Sequence, residues 1–335
     1  KKIRVLLVER FSPEEIKYLE SDLNENIEII EPIAFSPEVL ARIVKDNIDV
    51  LFGRPKNKEI LENGKDLKLI QVPWSGVDRL DFEMLRRYSI PVCSSHSNAG
   101  VTAEYAVSMM LATAKRLPLH DRYLRMGKWC RPRRDRESIF LPAEPVNGKT
   151  IGIIGYGTIG KKIADLLAGF SVKIQAVSTQ EHTQVPEPLS LIVSSERMLH
   201  VVEVADFLFI TVPLTDNTRN MIDKAVFEKM KSTSFLINTS RGDVIVEEDL
   251  YNALKNNEIA GAAVDNWYNY PKPGEPDVLP SRKFPFHELD NLVLSPHRAG
   301  NARGYYPNHD DAIENINRLA AGKPFINVLD LAKEY

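Results

Sequence analysis

An arginine and a histidine, each placed directly after an apolar run, are the residues of this chain best suited to chemistry. Arg241 stands in the segment 238–242 (NTSRG), and His297 stands in the segment 295–300 (SPHRAG). A guanidinium stays charged and pairs with a carboxylate through two parallel hydrogen bonds. An imidazole gives or takes a proton near neutral pH. The pair therefore indicates hydride chemistry on a small carboxylate, and the alternatives are a surface arginine and a buried structural histidine.

A glycine-rich turn follows the apolar run at 150–154 and precedes a helical pattern at 161–168. Its sequence is Gly155-Tyr156-Gly157-Thr158-Ile159-Gly160. In this context the first glycine permits a tight turn, the second lets the backbone approach a pyrophosphate, and the third lets the helix pack on the strand. The helix N-terminus offers N–H donors and partial positive charge to the phosphates. The turn predicts a dinucleotide site in preference to a merely structural turn.

Ser178 occupies the position that would choose between NAD and NADP. An acid at the end of this second strand grips the ribose 2′-hydroxyl of NAD. Ser178 carries no charge, no arginine stands beside it to hold a 2′-phosphate, and Glu181 would repel one. The sequence leaves the choice between NAD and NADP open.

Short apolar runs that alternate with amphipathic stretches must position these residues. The first series lies at 3–8, 28–31, 49–52, 68–72 and 91–93, and the second lies at 150–154, 172–177, 207–212, 234–238, 261–264 and 292–295. A long helix is expected from about 101 to 116, and the C-terminal segment predicts one helix followed by a short strand at 325–329. This alternation, with β-branched strands, predicts parallel sheets covered on both faces, an α/β fold.

Length, charge and cysteine content limit the class of protein. A chain of 335 residues fits two domains, and 43% hydrophobic with 27% charged residues is typical of globular proteins. A net charge of −3 gives no general attraction to nucleic acid or to an anionic membrane. Apolar stretches stay below the ~18 residues of a membrane helix, and Cys93 and Cys130 make neither a disulfide framework nor a metal quartet. We expect a cytoplasmic protein with no metal, no membrane and no nucleic-acid partner.

Ordered motifs along nearly the whole chain resemble those of the D-isomer-specific 2-hydroxyacid dehydrogenases. They stand at 53–55 (GRP), 75–78 (SGVD), 98–104, 155–160, 213–219 (PLTDNTR), 238–242, 261–265 (GAAVD), 295–300 and 322–324. The resemblance implies an oxidoreductase that uses NAD or NADP and acts on a small D-2-hydroxy acid or 2-keto acid.

The resemblance also implies an architecture. Two doubly wound parallel-sheet domains are expected, with a Rossmann coenzyme domain at 98–298 inserted into a flavodoxin-like substrate domain formed by 1–97 plus 299–335. In this family the region that corresponds to the basic stretch 115–137 is an arm that embraces a second subunit, so a homodimer is expected. From the residues alone this stretch could be a solvated surface, and the basic run 131–134 has no accompanying nucleic-acid motif.

By the same resemblance, Arg241 is the substrate clamp and His297 is the acid or base. The backbone N–H groups of Ser75 and Gly76 hold the other end of the substrate carboxylate, and Arg54 is a weaker candidate, equally consistent with an exposed structural arginine. The residues expected to contact the coenzyme are Thr102, Gly155, Gly157, Thr158, Ile159, Gly160, Ser178, Pro213, Thr218, Thr239, Asp265 and Gly300.

The chain departs from the family at Tyr270, where the family has the acid that partners the catalytic histidine. A tyrosine hydroxyl can orient an imidazole but cannot supply the negative charge that favours its protonated form. We therefore predict an optimum for ketone reduction displaced toward acid. Glu275 and Glu288 stand in a longer loop and could replace the missing acid, or they are simply exposed loop acids.

Aromatic residues at family positions bear on the substrate. Trp74 replaces the first glycine of the loop before Val77, and Trp267, Tyr268 and Tyr270 follow the strand at 261–264. If these rings line the cleft, the substrate carries an apolar or aromatic substituent rather than a phosphate. Packing in the core is the alternative.

A second class of function fits part of the same pattern. A dinucleotide-sensing binding protein, similar to the family's transcriptional corepressor branch, would show weak or no catalysis. The retained Arg241 and His297 favour the enzyme, whereas Tyr270 in place of an acid and the uncharged Ser178 favour the sensor.

Overall fold

Two units make up the chain in the computed structural model, which describes residues 2–129, 143–272, 274 and 276–335. The first unit consists of Lys1–Asn98 and Asn301–Tyr335, and the second of Ala99–Gly300. The division of roles between a substrate domain and a coenzyme domain stays a prediction. The predicted α/β class with two parallel sheets is confirmed.

The first unit is built on a five-stranded sheet in the order β2-β1-β3-β4-β5, parallel in every pairing. Its strands are β1 (Ile3–Leu7), β2 (Ile27–Ile30), β3 (Val50–Phe52), β4 (Leu69–Gln71) and β5 (Val92–Cys93). Its helices are α1 (Pro13–Ser21), α2 (Pro37–Ile43), α3 (Lys58–Asn63), α4 (Phe82–Leu85) and α11 (Asp310–Ala320). This strand order is that of flavodoxin-like sheets, whose topological switch point lies between β1 and β3.

The second unit is built on a seven-stranded sheet in the order β12-β11-β10-β9-β6-β7-β8, also parallel throughout. Its strands are β6 (Thr150–Ile154), β7 (Lys173–Val177), β8 (Leu191–Val193), β9 (Phe207–Ile210), β10 (Phe235–Asn238), β11 (Gly261–Val264) and β12 (Leu292–Leu294). Its helices are α5 (Ala99–Ala114), α6 (Leu117–Arg125), α7 (Thr158–Leu167), α8 (Met198–Val204), α9 (Lys224–Lys229) and α10 (Glu247–Lys255). The order is that of a Rossmann sheet, with its switch point between β6 and β9.

Burial on both faces explains why the strands read as continuous apolar runs. In β9, Leu208 and Ile210 enter one core cluster, and Phe207 and Phe209 enter the cluster on the other face. Successive side chains of a strand point to opposite faces, so a central strand covered by helices on both sides must be apolar at every position. The carboxyl ends of such strands are left as the place for functional side chains.

Two sequence predictions of strands needed correction. Residues 191–193 form the edge strand β8, which was not predicted. The strand predicted at 325–329 is wrong: Val328 makes only an isolated bridge to Cys93. Asn327 there has a φ of 53°, which interrupts the extended backbone.

None of the helices in the described part of the chain combines the length and the hydrophobicity needed to cross a membrane. Cys130, the basic run 131–134 and Glu275, all singled out from the sequence, lie outside the described residues.

Candidate active site

The glycines of the turn between β6 and α7 meet three different steric demands. Gly155 has a φ of +105°, and a Cβ there would lie 2.9 Å from Val212 Cγ1. A Cβ on Gly160 would lie 2.3 Å from the carbonyl oxygen of Gly155, because the helix packs directly on the turn. At Gly157 a Cβ would meet nothing within 4 Å. The second glycine therefore faces open space at the N-terminus of α7, at the switch point of the sheet.

Two features of the second unit, one in this turn and one at the end of β10, fit the phosphates and the nicotinamide of a dinucleotide. Gly157 is the N-cap of α7 and has no side chain that could cap the helix, so the first-turn N–H groups are left for an anion to bind. Thr239, at the end of β10, is buried, and its Oγ1 has no hydrogen-bond partner among the described residues. A buried hydroxyl without a partner is costly unless a ligand satisfies it. Both residues were predicted to contact the coenzyme.

Ser178, at the end of β7, lies beside a histidine that the sequence analysis did not single out. The Ser178 hydroxyl accepts a hydrogen bond from the Gln180 backbone N–H at 3.0 Å and lies 3.2 Å from His182 Nε2. The His182 ring contacts Tyr156, with the centroids 6.3 Å apart, and Lys161 Nζ lies 5.8 Å from the centroid of the Tyr156 ring. The expected ribose position is therefore surrounded by groups that are neutral or positive, whereas Glu181 is exposed.

Arg241 is held by a turn that the side chain of Asn238 organises. Asn238 Oδ1 accepts hydrogen bonds from the backbone N–H of Ser240 at 3.0 Å and from its hydroxyl at 2.8 Å, and Asn238 Nδ2 donates to the Arg241 carbonyl at 3.0 Å. Asn238 is fully buried at the end of β10. A Cβ on Gly242 would lie 2.7 Å from the Trp267 carbonyl oxygen. The arginine turn therefore lies directly against the segment that follows β11.

His297 is held by a turn that the side chain of Asp265 organises. Asp265 follows β11, is fully buried, and accepts hydrogen bonds from the Arg298 N–H at 2.8 Å, from the Ala299 N–H at 3.0 Å and from the Ser295 hydroxyl. The His297 N–H donates to the Asp265 carbonyl at 2.9 Å. His297 itself is exposed and has a φ of 57°, a left-handed conformation that costs energy in a non-glycine residue. The carboxylate therefore fixes a strained turn that presents the imidazole.

Tyr270 lies against the imidazole. The ring centroids of Tyr270 and His297 are 5.7 Å apart at an interplanar angle of 60°. The Tyr270 hydroxyl accepts a hydrogen bond from the Trp267 N–H at 3.0 Å and donates to Asn266 Oδ1 at 3.4 Å. The aromatic ring therefore contacts the histidine, while the hydroxyl is hydrogen-bonded to the segment that follows Asp265.

The other aromatic residues of this segment pack in the core. Trp267 is buried, donates its indole N–H to the Ser295 carbonyl at 2.9 Å, and contacts Phe286 with the centroids 5.6 Å apart. Tyr268 donates its hydroxyl to the Ile245 carbonyl at 3.1 Å, and burial raises its pKa. The sequence left open whether these rings line the substrate cleft or pack in the core. The structure shows core packing for Trp267 and Tyr268.

The remaining predicted coenzyme residues lie in the second unit. Thr218 closes the turn after β9: its hydroxyl donates to the Pro213 carbonyl at 2.5 Å and accepts from the Thr215 N–H at 2.8 Å. Thr102 is buried on α5, Thr158 and Ile159 open α7, and Gly300 ends the His297 turn. Their contacts with a coenzyme stay predictions.

The predicted substrate residues Arg54, Ser75 and Gly76 lie in the first unit. Arg54 Nε donates to Glu9 Oε1 at 3.0 Å and Arg54 Nη2 to Glu9 Oε2 at 3.4 Å. Its guanidinium carbon lies 5.0 Å from the centroid of the Trp74 ring. Ser75 and Gly76 are partly exposed, directly after Trp74. Arg54 is therefore a fixed, half-buried arginine and not a freely exposed one.

A match to a known family covers more than half of the chain. Residues 107–299 match the family described as D-isomer specific 2-hydroxyacid dehydrogenase, NAD binding domain. The chain belongs to this family. Its members are NAD(P)-dependent oxidoreductases, and the chain is an enzyme of that class.

Similar proteins with named activities support the assignment to this family. The chain is 32% identical to a glyoxylate reductase from Korarchaeum cryptofilum over 79% of this chain and 76% of the relative. It is 30% identical to a D-3-phosphoglycerate dehydrogenase from Archaeoglobus fulgidus over 98% of this chain, and it spans 59% of the length of that relative. The fold is also similar to that of an NADPH-dependent glyoxylate/hydroxypyruvate reductase from Sinorhizobium meliloti, solved with NADP and malonate, with a TM-score of 0.76 and 23% identity over 99% of this chain and 98% of that one. These names give no support to the dinucleotide-sensing alternative.

Sequence reasoning missed several residues that lie beside the predicted site residues of each unit. Glu9 and His182 both follow parallel strands at their carboxyl ends, and that position is the signal that could have found them. The anchoring roles of Asn238 and Asp265 depend on hydrogen bonds within turns, which a linear pattern does not show.

Proposed function

We propose that this dehydrogenase interconverts a small D-2-hydroxy acid and the corresponding 2-keto acid, with Arg241 as substrate clamp and His297 as acid and base. The carrying observation is that buried side chains at the ends of neighbouring strands, Asn238 on β10 and Asp265 on β11, fix the Arg241 and His297 turns. Functional groups on rigid strand ends are held more precisely than groups on long loops.

The chemistry follows from the two side chains. Arg241 binds the substrate carboxylate through its planar fork and polarises the neighbouring carbonyl. His297 donates a proton to the carbonyl oxygen during reduction and takes it back from the hydroxyl during oxidation. The nicotinamide, when bound, supplies or accepts the hydride. The exposure of His297 leaves its proton exchangeable with solvent between turnovers.

Turnover of a panel of 2-keto acids tests this assignment. The loss of absorbance of NADPH or NADH is followed with glyoxylate, pyruvate, hydroxypyruvate and phenylpyruvate. We expect Arg241→Lys to raise KM more than it lowers kcat, and His297→Gln to lower kcat by roughly 10²–10⁴-fold, the range for loss of a general acid. Coenzyme binding with no turnover of any keto acid would instead favour the dinucleotide-sensing alternative.

We further propose that NADP(H) is the preferred coenzyme. The acid that selects NAD is replaced by Ser178, and the Ser178 hydroxyl lies 3.2 Å from His182 Nε2 with Lys161 near the same Tyr156 ring. The structurally similar Sinorhizobium reductase was solved with NADP. In Ser178→Asp the carboxylate should hydrogen-bond the ribose 2′-hydroxyl of NAD and repel the 2′-phosphate of NADP. We therefore expect the ratio of kcat/KM for NADPH over NADH to fall by about 10²-fold. An unchanged ratio refutes the preference.

A homodimer is proposed for the same chain. Helix α6 and the residues after it expose large apolar side chains: Leu117 (55%), Leu124 (51%), Met126 (54%) and Trp129 (65%). An exposed apolar face of this kind marks a contact surface, and the family arm lies in the same region of the sequence. Light scattering should give twice the mass of 37.9 kDa, and Leu124→Glu should shift it to one chain. The predicted cytoplasmic location stays a prediction.

A further inference from the structure

A cluster of charged and aromatic side chains lies at the carboxyl edge of the first sheet. Glu9 and Phe11 follow β1, Arg54 follows β3, and Trp74 follows β4. We call these residues the Trp74 cluster. β1 and β3 flank the switch point of this sheet, the place where ligands bind in doubly wound folds.

The rings of this cluster are fixed by the core beneath them. The Trp74 and Phe11 rings are nearly parallel, at 17°, with centroids 6.1 Å apart. Phe11 in turn contacts the buried residues Phe52 and His309, at centroid distances of 5.1 Å and 5.9 Å. Trp74 is itself partly exposed. Phe11 and the Arg54 guanidinium, 5.0 Å from the ring centroid, hold the indole in place. Its exposed part is therefore an apolar surface that a ligand can cover without first ordering it, which favours binding.

The charge of Arg54 is already paired. Glu9 accepts from two nitrogens of the guanidinium, and the side chains are only 25% and 10% exposed for Arg54 and Glu9. A phosphate or second carboxylate that approached Arg54 would also approach the largely buried Glu9 carboxylate, which repels it. Lys56 lies 3.7 Å from Glu9 but is 73% exposed, so water screens most of its attraction.

Trp74 directly precedes Ser75 and Gly76, whose backbone N–H groups are expected to hold the substrate carboxylate. No described residue accepts a hydrogen bond from either N–H. A substituent on a substrate held there therefore lies within reach of the neighbouring indole.

We propose that the Trp74 cluster makes this enzyme selective for 2-keto acids with an aromatic or bulky apolar substituent, against those with a phosphate or a second carboxylate. This inference rests on the proposed function. Contact between aromatic rings and the burial of apolar area favour the first class, and the paired Glu9 disfavours the second.

Competition between substrates with matched variants tests the proposal. The kcat/KM values are measured for phenylpyruvate, pyruvate and 3-phosphohydroxypyruvate with the parent, Trp74→Gly, Trp74→Phe and Glu9→Gln. We expect the parent to prefer phenylpyruvate over pyruvate by at least about tenfold, the size of a good ring contact. Trp74→Gly should remove this preference, and Trp74→Phe should keep most of it.

Glu9→Gln provides an independent test of the selectivity, because it removes the repelling charge and leaves the rings in place. We expect it to raise kcat/KM for 3-phosphohydroxypyruvate relative to pyruvate by about tenfold, since Arg54 then faces the phosphate with its charge unpaired. Thermal unfolding of each variant checks that the fold is retained, and the Phe and Gln variants decide the question if Trp74→Gly does not fold.

The outcomes separate the two proposals. If no keto acid is turned over with either coenzyme, the proposed function fails and this inference fails with it. If keto acids are reduced but the parent prefers pyruvate or the phosphate, or if the ratios are the same in Trp74→Gly, the selectivity is refuted while the function stands.

Discussion

Replacement of Asp265 by asparagine should damage both stability and catalysis, although the side chains have nearly the same shape. The carboxylate is fully buried and accepts from the Arg298 N–H, the Ala299 N–H and the Ser295 hydroxyl. Asparagine keeps one oxygen and turns an N–H toward a backbone or hydroxyl donor. The turn that carries His297 therefore loses at least one hydrogen bond and gains a contact between donors.

The magnitude follows from the number of bonds. A hydrogen bond to a charged group contributes about 1.5–3 kcal/mol, and an unsatisfied buried donor costs about 1–3 kcal/mol. Part of this loss is offset because the neutral asparagine avoids the desolvation cost of a buried carboxylate. We expect a net destabilisation of about 2–4 kcal/mol, which in a unit of this size lowers the melting temperature by about 5–15 °C. Displacement of the imidazole should lower kcat by roughly 10²-fold.

Thermal unfolding without coenzyme and steady-state kinetics measure the two effects. Asp290→Asn is a matched control, because Asp290 is 54% exposed and pairs with Arg122 on the surface, so its loss should change stability by less than about 1 kcal/mol. The resemblance to the family predicts a different role for Asp265, contact with the coenzyme. If Asp265→Asn melts with the parent and changes only the KM for the coenzyme, Asp265 is not the anchor of the histidine turn.

Other substitutions each test one feature of the structure. Tyr270→Glu places a negative charge beside the imidazole and favours its protonated form, so the alkaline limb of keto-acid reduction, where activity falls as the pH rises, should move to higher pH. Superimposable pH–rate profiles for variant and parent contradict this. Gly160→Ala should lower the melting temperature strongly, because its Cβ would lie 2.3 Å from the Gly155 carbonyl, while Gly157→Ala should leave it nearly unchanged and raise the KM for the coenzyme. Burial lowers the pKa of His309 below its usual 6.5, so the unfolded chain binds a proton that the folded chain does not, and stability should fall as the pH drops below that value. His309→Phe should flatten this dependence in melting curves between about pH 8 and 5; an unchanged slope contradicts it.

The parallel α/β architecture and the family could be predicted because both depend on local patterns repeated along the chain. Apolar runs of β-branched residues that alternate with helices can hardly form anything but covered parallel sheets. The glycine turn is similarly local: the demands on Gly155 and Gly160 come from residues within the same strand–turn–helix unit or from the next strand of the sheet.

The partners within the site could not be predicted, because they join residues far apart in sequence. Asp265 accepts from residues 33 and 34 positions later, and Glu9 binds Arg54 across 45 positions. Such pairs depend on which strands lie side by side, and strand order cannot be read from a single apolar run. The strand predicted at 325–329 failed for a different reason: Asn327 adopts a left-handed backbone, which asparagine does more readily than most residues, but the apolar residues around it favoured a strand.

The anchors of the site and its departures from the family lie in different parts of the structure. Asn238 and Asp265 are buried strand-end residues, whereas Tyr270 and Trp74 are partly exposed loop residues. A substitution at an anchor is expected to disturb the turn that carries the arginine or the histidine and so to lower kcat. A substitution in a loop changes the charge beside the imidazole or the surface beside the substrate and leaves both turns in place. In the proposed function, the groups for hydride transfer are therefore held at buried strand ends, while the pH dependence and the substrate preference depend on loop residues that can be substituted separately.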